Sequence, residues 1–109
     1  MMIISVFERF GEFAENKNKA KNVRTTLIEP SIKNGNTICL DFKGVNNATQ
    51  SFIHALISNL IRIHGIEALE KIEFKNCNET LKTIITIVVD YMQDSLENEE
   101  DENEEDYIE

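Results

Sequence analysis

The chain has no tryptophan and a single proline among its 109 residues. A turn-rich β-sandwich would use more chain breakers, so this scarcity favours a helix-rich α/β domain. Two cysteines, Cys39 and Cys77, are too few for a disulfide framework. Cys39 falls within an apolar stretch and reads as a small buried residue. Cys77 falls just past another expected strand. No run approaches the ~18 consecutive apolar residues of a membrane span. The opening MMIISVFERF has no basic leader and too short an apolar run for a signal peptide. No basic stripe marks a nucleic-acid binder. The expected setting is cytoplasmic, with reduced thiols.

What is present divides unevenly. The formal net charge is -9, yet residues 1–96 carry 11 acidic and 11 basic side chains. The imbalance belongs to residues 97–109, which hold nine acidic side chains and no basic one. That segment would repel phosphate and has little to bury, so it is expected to be a disordered tail. Residues 1–96, in a chain that is 41% hydrophobic, suffice for one domain with a single core.

The chain is organised around residues 37–65, TICLDFKGVNNATQSFIHALISNLIRIHG. Ile38–Phe42 is apolar except for Asp41, which predicts a central strand covered on both faces. Asp41 ends that strand, and a carboxylate there must be paired. It reads as an acceptor for loop amides, with charge handling as its other role. Gly44 supplies a turn. Asn46, Asn47 and Thr49 are all N-cap candidates. Residues 50–64 form an amphipathic helix. Phe52, Ile53, Leu56, Ile57, Leu60, Ile61 and Ile63 form its apolar side, and His54, Ser58, Asn59 and Arg62 its wet side. Gly65 caps its end. A buried strand running into such a helix is half of a parallel β/α unit, and its loop, 45–51, is where function is expected.

Met2–Phe7 predicts a first strand. Residues 8–15 fit either one helical turn or a loop, with Phe7, Phe10 and Phe13 as packing residues. Asn16–Asn22 reads as a loop or a frayed helix start. A helix is expected from Lys21 to Lys33, stopped or kinked near Glu29 by Pro30. Asn34–Asn36 reverses the chain around Gly35. Residues 66–70 connect to a half-exposed edge strand at 71–76. Thr83–Val89 is β-branched, which locally favours a strand. Its length, and the helical spacing of Leu81, Ile84, Ile85, Val88 and Met92, predict instead a final helix over 79–98. Ile87 and Tyr91 widen that helix's apolar arc, either as broad core contact or as a partner surface.

At LDFKGVNNATQSF the chain resembles the STAS-like family, short prokaryotic domains related in shape to anti-sigma factor antagonists. Leu40-Asp41-Phe42-Lys43-Gly44-Val45, then Ser51-Phe52 opening a helix, carry the likeness. Ile72-Glu73-Phe74-Lys75-Asn76 and the long final helix follow in order. The resemblance implies a small βαβαβα domain with a mainly parallel sheet over residues 1–96. It also implies a regulatory, non-catalytic role. In the antagonists, a partner of the histidine-kinase ATPase type phosphorylates a serine at the start of the helix, which weakens their association. Ser51 is the matching position. Thr49 and Gln50 precede it where antagonists carry an acidic residue and a serine, and Phe52 follows where they carry glycine.

The residues support a phosphoacceptor on their own terms. Early helical positions leave amides unpaired and favour negative charge by ~0.3–1 kcal/mol. The bland alternative is a hydroxyl capping one of those amides. No catalytic set accompanies Ser51. His54 and His64 lie ten residues apart on one helix, Cys39 and Cys77 have no ligand spacing, and no phosphate-binding glycine loop occurs. Neither metal nor cofactor is expected. The partner-binding surface is expected at Gly44, Val45, Asn46, Asn47 and Thr49 with Ser51. The alternative is a structural accessory subunit of a defence or toxin-neutralising complex, working through the final helix and the acidic tail.

Overall fold

A computed structural model describes residues 1–98. Its centre is a parallel sheet of β1 (Met2–Ser5), β3 (Ile38–Asp41) and β5 (Ile72–Lys75), with β3 in the middle. The strand order follows the chain without reversing. Right-handed crossovers that step in one direction must return over the same face, so the helices gather on one side. Met2, Ile38 and Ile72 stand abreast in register, as do Ile4, Leu40 and Phe74. All six lie in or against the core that the helices cover. The opposite face carries Ile3, Cys39 and Glu73. Ile3 is 67% exposed and Glu73 is exposed, so the expected cover on both faces of the central strand is not there. Cys39 is nevertheless closed off, at 2% exposure. The outer rows of a three-stranded sheet shield its middle row without a second layer.

The first third of the chain departs most from expectation. The first strand ends at Ser5, not Phe7, because the Ser5 hydroxyl accepts from the Glu8 amide and starts a short helix, α1 (Val6–Phe10). The next helical stretch starts at Lys17, four residues before the expected Lys21. There the Asn16 side chain accepts from the Lys19 amide and opens α2 (Lys17–Val23). Nor does Pro30 end the helix. A π-helical turn, Arg24–Ile28, leads into α3 (Glu29–Lys33), with Pro30 in its first turn. The Glu29 amide donates to the Arg24 carbonyl, five residues back. The wide turn thus places the ring, which has no amide to offer, at a fresh helix start where none is needed.

The stretch after β3 is likewise more ordered than a loop. Asn47–Ala48 forms a two-residue strand, β4, parallel to β2 (Phe13–Ala14). The amides of Asn46 and Asn47 donate to the Glu12 carbonyl, and the Thr49 amide donates to that of Ala14. Before it, Gly44 turns the chain at φ +93°. A Cβ here would stand 3.0 Å from Cγ of Phe7. Gly44→Ala is therefore expected to cost about 2 kcal/mol in urea unfolding, mainly from the left-handed backbone. Adding Phe7→Ala should relieve the contact and leave the backbone cost. A neutral Gly44→Ala would contradict both causes.

The central helix, α4, runs from Gln50 to His64 as expected, between the Thr49 and Gly65 caps. Phe52, Ile53, Leu56, Ile57, Leu60 and Ile61 are all at or below 1% exposure. Ile63 is 62% exposed and does not belong to the apolar side. Ser58, expected to be wet, is 4% exposed because α4 is flanked by α2 and by the final helix, α5 (Glu79–Asn98). A 3₁₀ turn, Ile66–Lys71, leads from α4 to β5. The β-branched run 83–89 is helical, opened by the Asn78 side chain accepting from the Leu81 amide. Leu81, Ile85, Val88 and Met92 are buried along its inner face. The helix includes Glu97 and Asn98; the rest of the acidic segment lies outside the described residues. Among the described residues, no helix is long and apolar enough to cross a membrane.

Candidate functional site

The first turn of α4 is set by its cap. Thr49 Oγ1 accepts from the Phe52 amide at 3.0 Å, which fixes where the helix begins. Phe52 points inward at 0% exposure, and its ring meets Phe10 edge-on, with centroids 4.7 Å apart. Its neighbour Ser51 is exposed. The capping is done by Thr49, and the Ser51 hydroxyl makes no hydrogen bond among the described residues. The reading of Ser51 as a cap is therefore set aside by geometry: the cap is two residues upstream.

Ser51 opens onto a broad depression of about 830 Å³. Its floor is α4, from Gln50 to Arg62. One wall is α2 with the start of the π turn, carrying Lys17, Lys21 and Arg24; the other is α5, with Ile87, Val88 and Tyr91. The rings of His54 and Tyr91 are 6.1 Å apart across the α4–α5 side. Among the described residues, the lining holds two lysines and two arginines and no carboxylate. Ile87 is 44% and Tyr91 47% exposed on the α5 wall.

Arg24 is the residue that sequence reasoning missed. It is 8% exposed. Its Nε donates to Glu29 Oε2 at 3.1 Å, and its Nη1 to the Ala55 carbonyl at 2.7 Å. The guanidinium thus ties the α2 wall to the α4 floor. A regular helix brings residues four apart together, whereas Arg24 and Glu29 are five apart. The π turn, with one more residue per hydrogen-bonded ring, brings them onto one side. The available signal was an arginine within the apolar row of Val23, Leu27 and Ile28, followed at that wider spacing by an acid.

The other expected site residues lie elsewhere. Gly44, Val45, Asn46, Asn47 and Thr49 do not line the depression. Val45 is 4% exposed, its side chain in the core. Asn46 is held by Glu12 on one side and by Asn78, whose Nδ2 donates to the Asn46 carbonyl at 3.0 Å, on the other. Asp41 is at the carboxyl end of the sheet. Its Oδ1 accepts from Asn76 Nδ2 at 2.8 Å and from the Lys43 amide at 3.0 Å. The Asn76 bond first, and the Lys43 amide second, hold its carboxyl below the usual range. This is the loop-amide role expected of it. Burial, followed by the nearby Glu73, pushes the Cys39 thiol up, and burial does the same at Cys77. Among the described residues, no cluster of His, Cys, Asp and Glu could hold a metal ion.

A strand order that does not reverse leaves no crevice at a switch point, the usual seat of ligands in open α/β sheets. The concavity is formed by helices instead. A family model described as a STAS-like domain of unknown function matches residues 19–82, from α2 to the first turn of α5. No curated protein and no solved structure matches the chain.

Proposed function

We propose, for a chain that belongs to the family of STAS-like domains of unknown function, that it is a regulatory protein-interaction module switched by phosphorylation at Ser51. The observation that carries this reading is an exposed hydroxyl, unused by the helix cap, at the mouth of a cation-lined groove. The modifying partner implied by the family resemblance is an ATPase of the histidine-kinase type. Phosphorylation would add about 1.5 to 2 negative charges to this rim. Because Ser51 sits in the first turn of α4, the helix itself would tolerate that charge. The change would thus fall on the interface and leave the fold intact.

Ser51→Asp should retain the far-UV circular dichroism and melting temperature of the wild type. Its affinity for a partner recovered by pull-down should fall by about tenfold, the equivalent of ~1.4 kcal/mol. Phosphoserine at residue 51 should be found by mass spectrometry in the wild type. Equal partner affinity of wild type and Ser51→Asp would remove the switch.

The exposed Ile87 and Tyr91 favour a second reading, a structural accessory subunit that docks through α5. In the same pull-down, Ile87→Glu would then abolish capture while Ser51→Asp leaves it unchanged.

A further inference from the structure

We propose that the outer edge of β1 is a docking edge, and that its occupant is β1 of a second copy of this chain, set antiparallel about Ile3. The pairing joins two three-stranded sheets into one of six strands. It involves neither Ser51 nor the groove, and it stands or falls apart from the switch.

β1 lies at the margin of the sheet, with β3 on its inner side. Among the described residues, no strand pairs with its outer side. The Met2 amide donates to the Thr37 carbonyl at 3.0 Å, so Met2 turns its backbone inward. Backbone direction alternates along a strand, so Ile4 does the same, and Ile3 presents its amide and carbonyl outward. Such an edge is a template for another strand, and folded proteins blunt it with charge, proline, a bulge or a covering element. The opposite margin, β5, carries exposed Glu73 and Lys75. β1 has none of these devices. Residues 1–5 include no charged side chain and no proline, and the register with β3 runs without a bulge. The side chains it exposes are apolar instead, Met1 at 72% and Ile3 at 67%.

The same residues fit themselves. In an antiparallel pair centred on Ile3, Ile3 faces Ile3 of the copy, Met2 faces Ile4, and Met1 faces Ser5. The two Ile3 backbones exchange amide–carbonyl bonds, and their side chains meet on the open face. Met2, half-buried against the core, gains an apolar neighbour on the helix-covered face. No charge is desolvated, and no like charges are opposed. The other ways of joining two copies do less. β1 against β5 of the copy brings the apolar edge beside Glu73 and Lys75, and this head-to-tail contact leaves a free edge at each end of an open chain. β5 against β5 buries charged residues and leaves both apolar edges exposed. β1 against β1 closes the assembly and covers both. The contact is small. An edge of this length falls below the ~1,000 Å² of a lasting interface, so the dimer should be half formed at roughly 0.1 mM.

The test is sedimentation equilibrium of the full chain from ~5 µM to ~0.5 mM, in ~0.15 M salt so that net charge is screened beyond ~8 Å. The expected result is a monomer–dimer equilibrium with no larger species. Ile3→Lys, at an exposed position, should keep the melting temperature and weaken association about tenfold or more. Glu73→Lys, on the far strand of the same open face, should leave association unchanged. In a Cys77→Ser background, Ile3→Cys should crosslink between copies under mild oxidation. Facing residues of a hydrogen-bonded pair have Cα atoms ~5.5 Å apart, within disulfide reach. Glu73→Cys should not crosslink. A chain that stays monomeric across the range would overturn the proposal and leave β1 to a strand of another protein. A mass that climbs past the dimer would overturn it too, as would a dimer indifferent to Ile3→Lys. A dimer weakened by Glu73→Lys and crosslinked through Glu73→Cys would put the open faces in contact, not the edges, and overturn it likewise. None of these measurements involves a kinase, so their failure leaves Ser51 as a switch, and loss of the switch leaves the dimer intact.

Discussion

Phe52→Ala is expected to cost about 4 kcal/mol. A fully buried phenylalanine truncated to alanine forfeits 3–5 kcal/mol through lost transfer energy and the cavity left behind. Phe52 has no exposed surface, and it meets Phe10 in an edge-on pair that adds about 0.5–1.5 kcal/mol of its own. Domains of this size are stable by only 5–15 kcal/mol, so the variant would sit near the edge of folding. Urea unfolding followed by circular dichroism measures it. Phe52→Leu, which keeps most of the volume, should lose less than about 1.5 kcal/mol and provides a folded comparison. Phe10→Ala, at a half-buried position, should fall between them. A Phe52→Ala loss under about 1 kcal/mol would mean that the ring does not anchor the first turn of α4. Ser51 would then have no fixed place on the groove rim. The bulky residue after the serine, where antagonists carry glycine, is thus what seats the serine.

Arg24→Ala ranks second, at about 3 kcal/mol. The cost does not come from losing an ion pair alone, since attraction between paired charges is largely offset by their desolvation. It comes from what is left behind. Glu29, whose side chain is 24% exposed, keeps only a 3.5 Å contact with Asn59 Nδ2. The Ala55 carbonyl loses its donor from the guanidinium. Arg24→Met retains the aliphatic stem and separates packing from charge. Glu29→Gln in either background completes a double-mutant cycle. The cycle should show coupling of about 1–2 kcal/mol between Arg24 and Glu29, because both sit in partly dry surroundings. Additive losses would mean that the salt bridge holds nothing together and that Arg24 acts only through Ala55.

These two residues also mark where the sequence could and could not be read. The helix carrying Phe52 was legible to its end residues. Thr49 and Gly65 bracket it, and its apolar positions repeat at one spacing. The final helix was legible too, against the β-branched pull of Thr83–Val89, because burial at helical spacing outweighs local preference. The first 33 residues were legible only in outline: the first strand and a helix ending at Lys33 were read, but not where each begins or ends. Strands β2 and β4 are two residues each and exist only through each other, across more than thirty positions. Neither has a local signature. Arg24 was hidden because its partner lies one position beyond regular helical spacing. The Ser51 position was read from the chain, but the walls around it come from α2 and α5, which no local pattern brings together. The loop residues 44–49, polar in sequence, are spent on internal hydrogen bonds that only the folded chain reveals.

The π turn at Arg24–Ile28 has a further result for the whole architecture. It amounts to one residue inserted in an otherwise regular helix, which advances everything downstream by about 100° of phase. Upstream of the insertion, Ala20 and Val23 are buried where α2 packs on α4. Downstream, the Ser31 hydroxyl lies 4.0 Å from the sulfur of Met2 on the first strand. One rod therefore addresses two different neighbours, a helix with its first half and the sheet margin with its second. Removing a single residue there would force a choice between them.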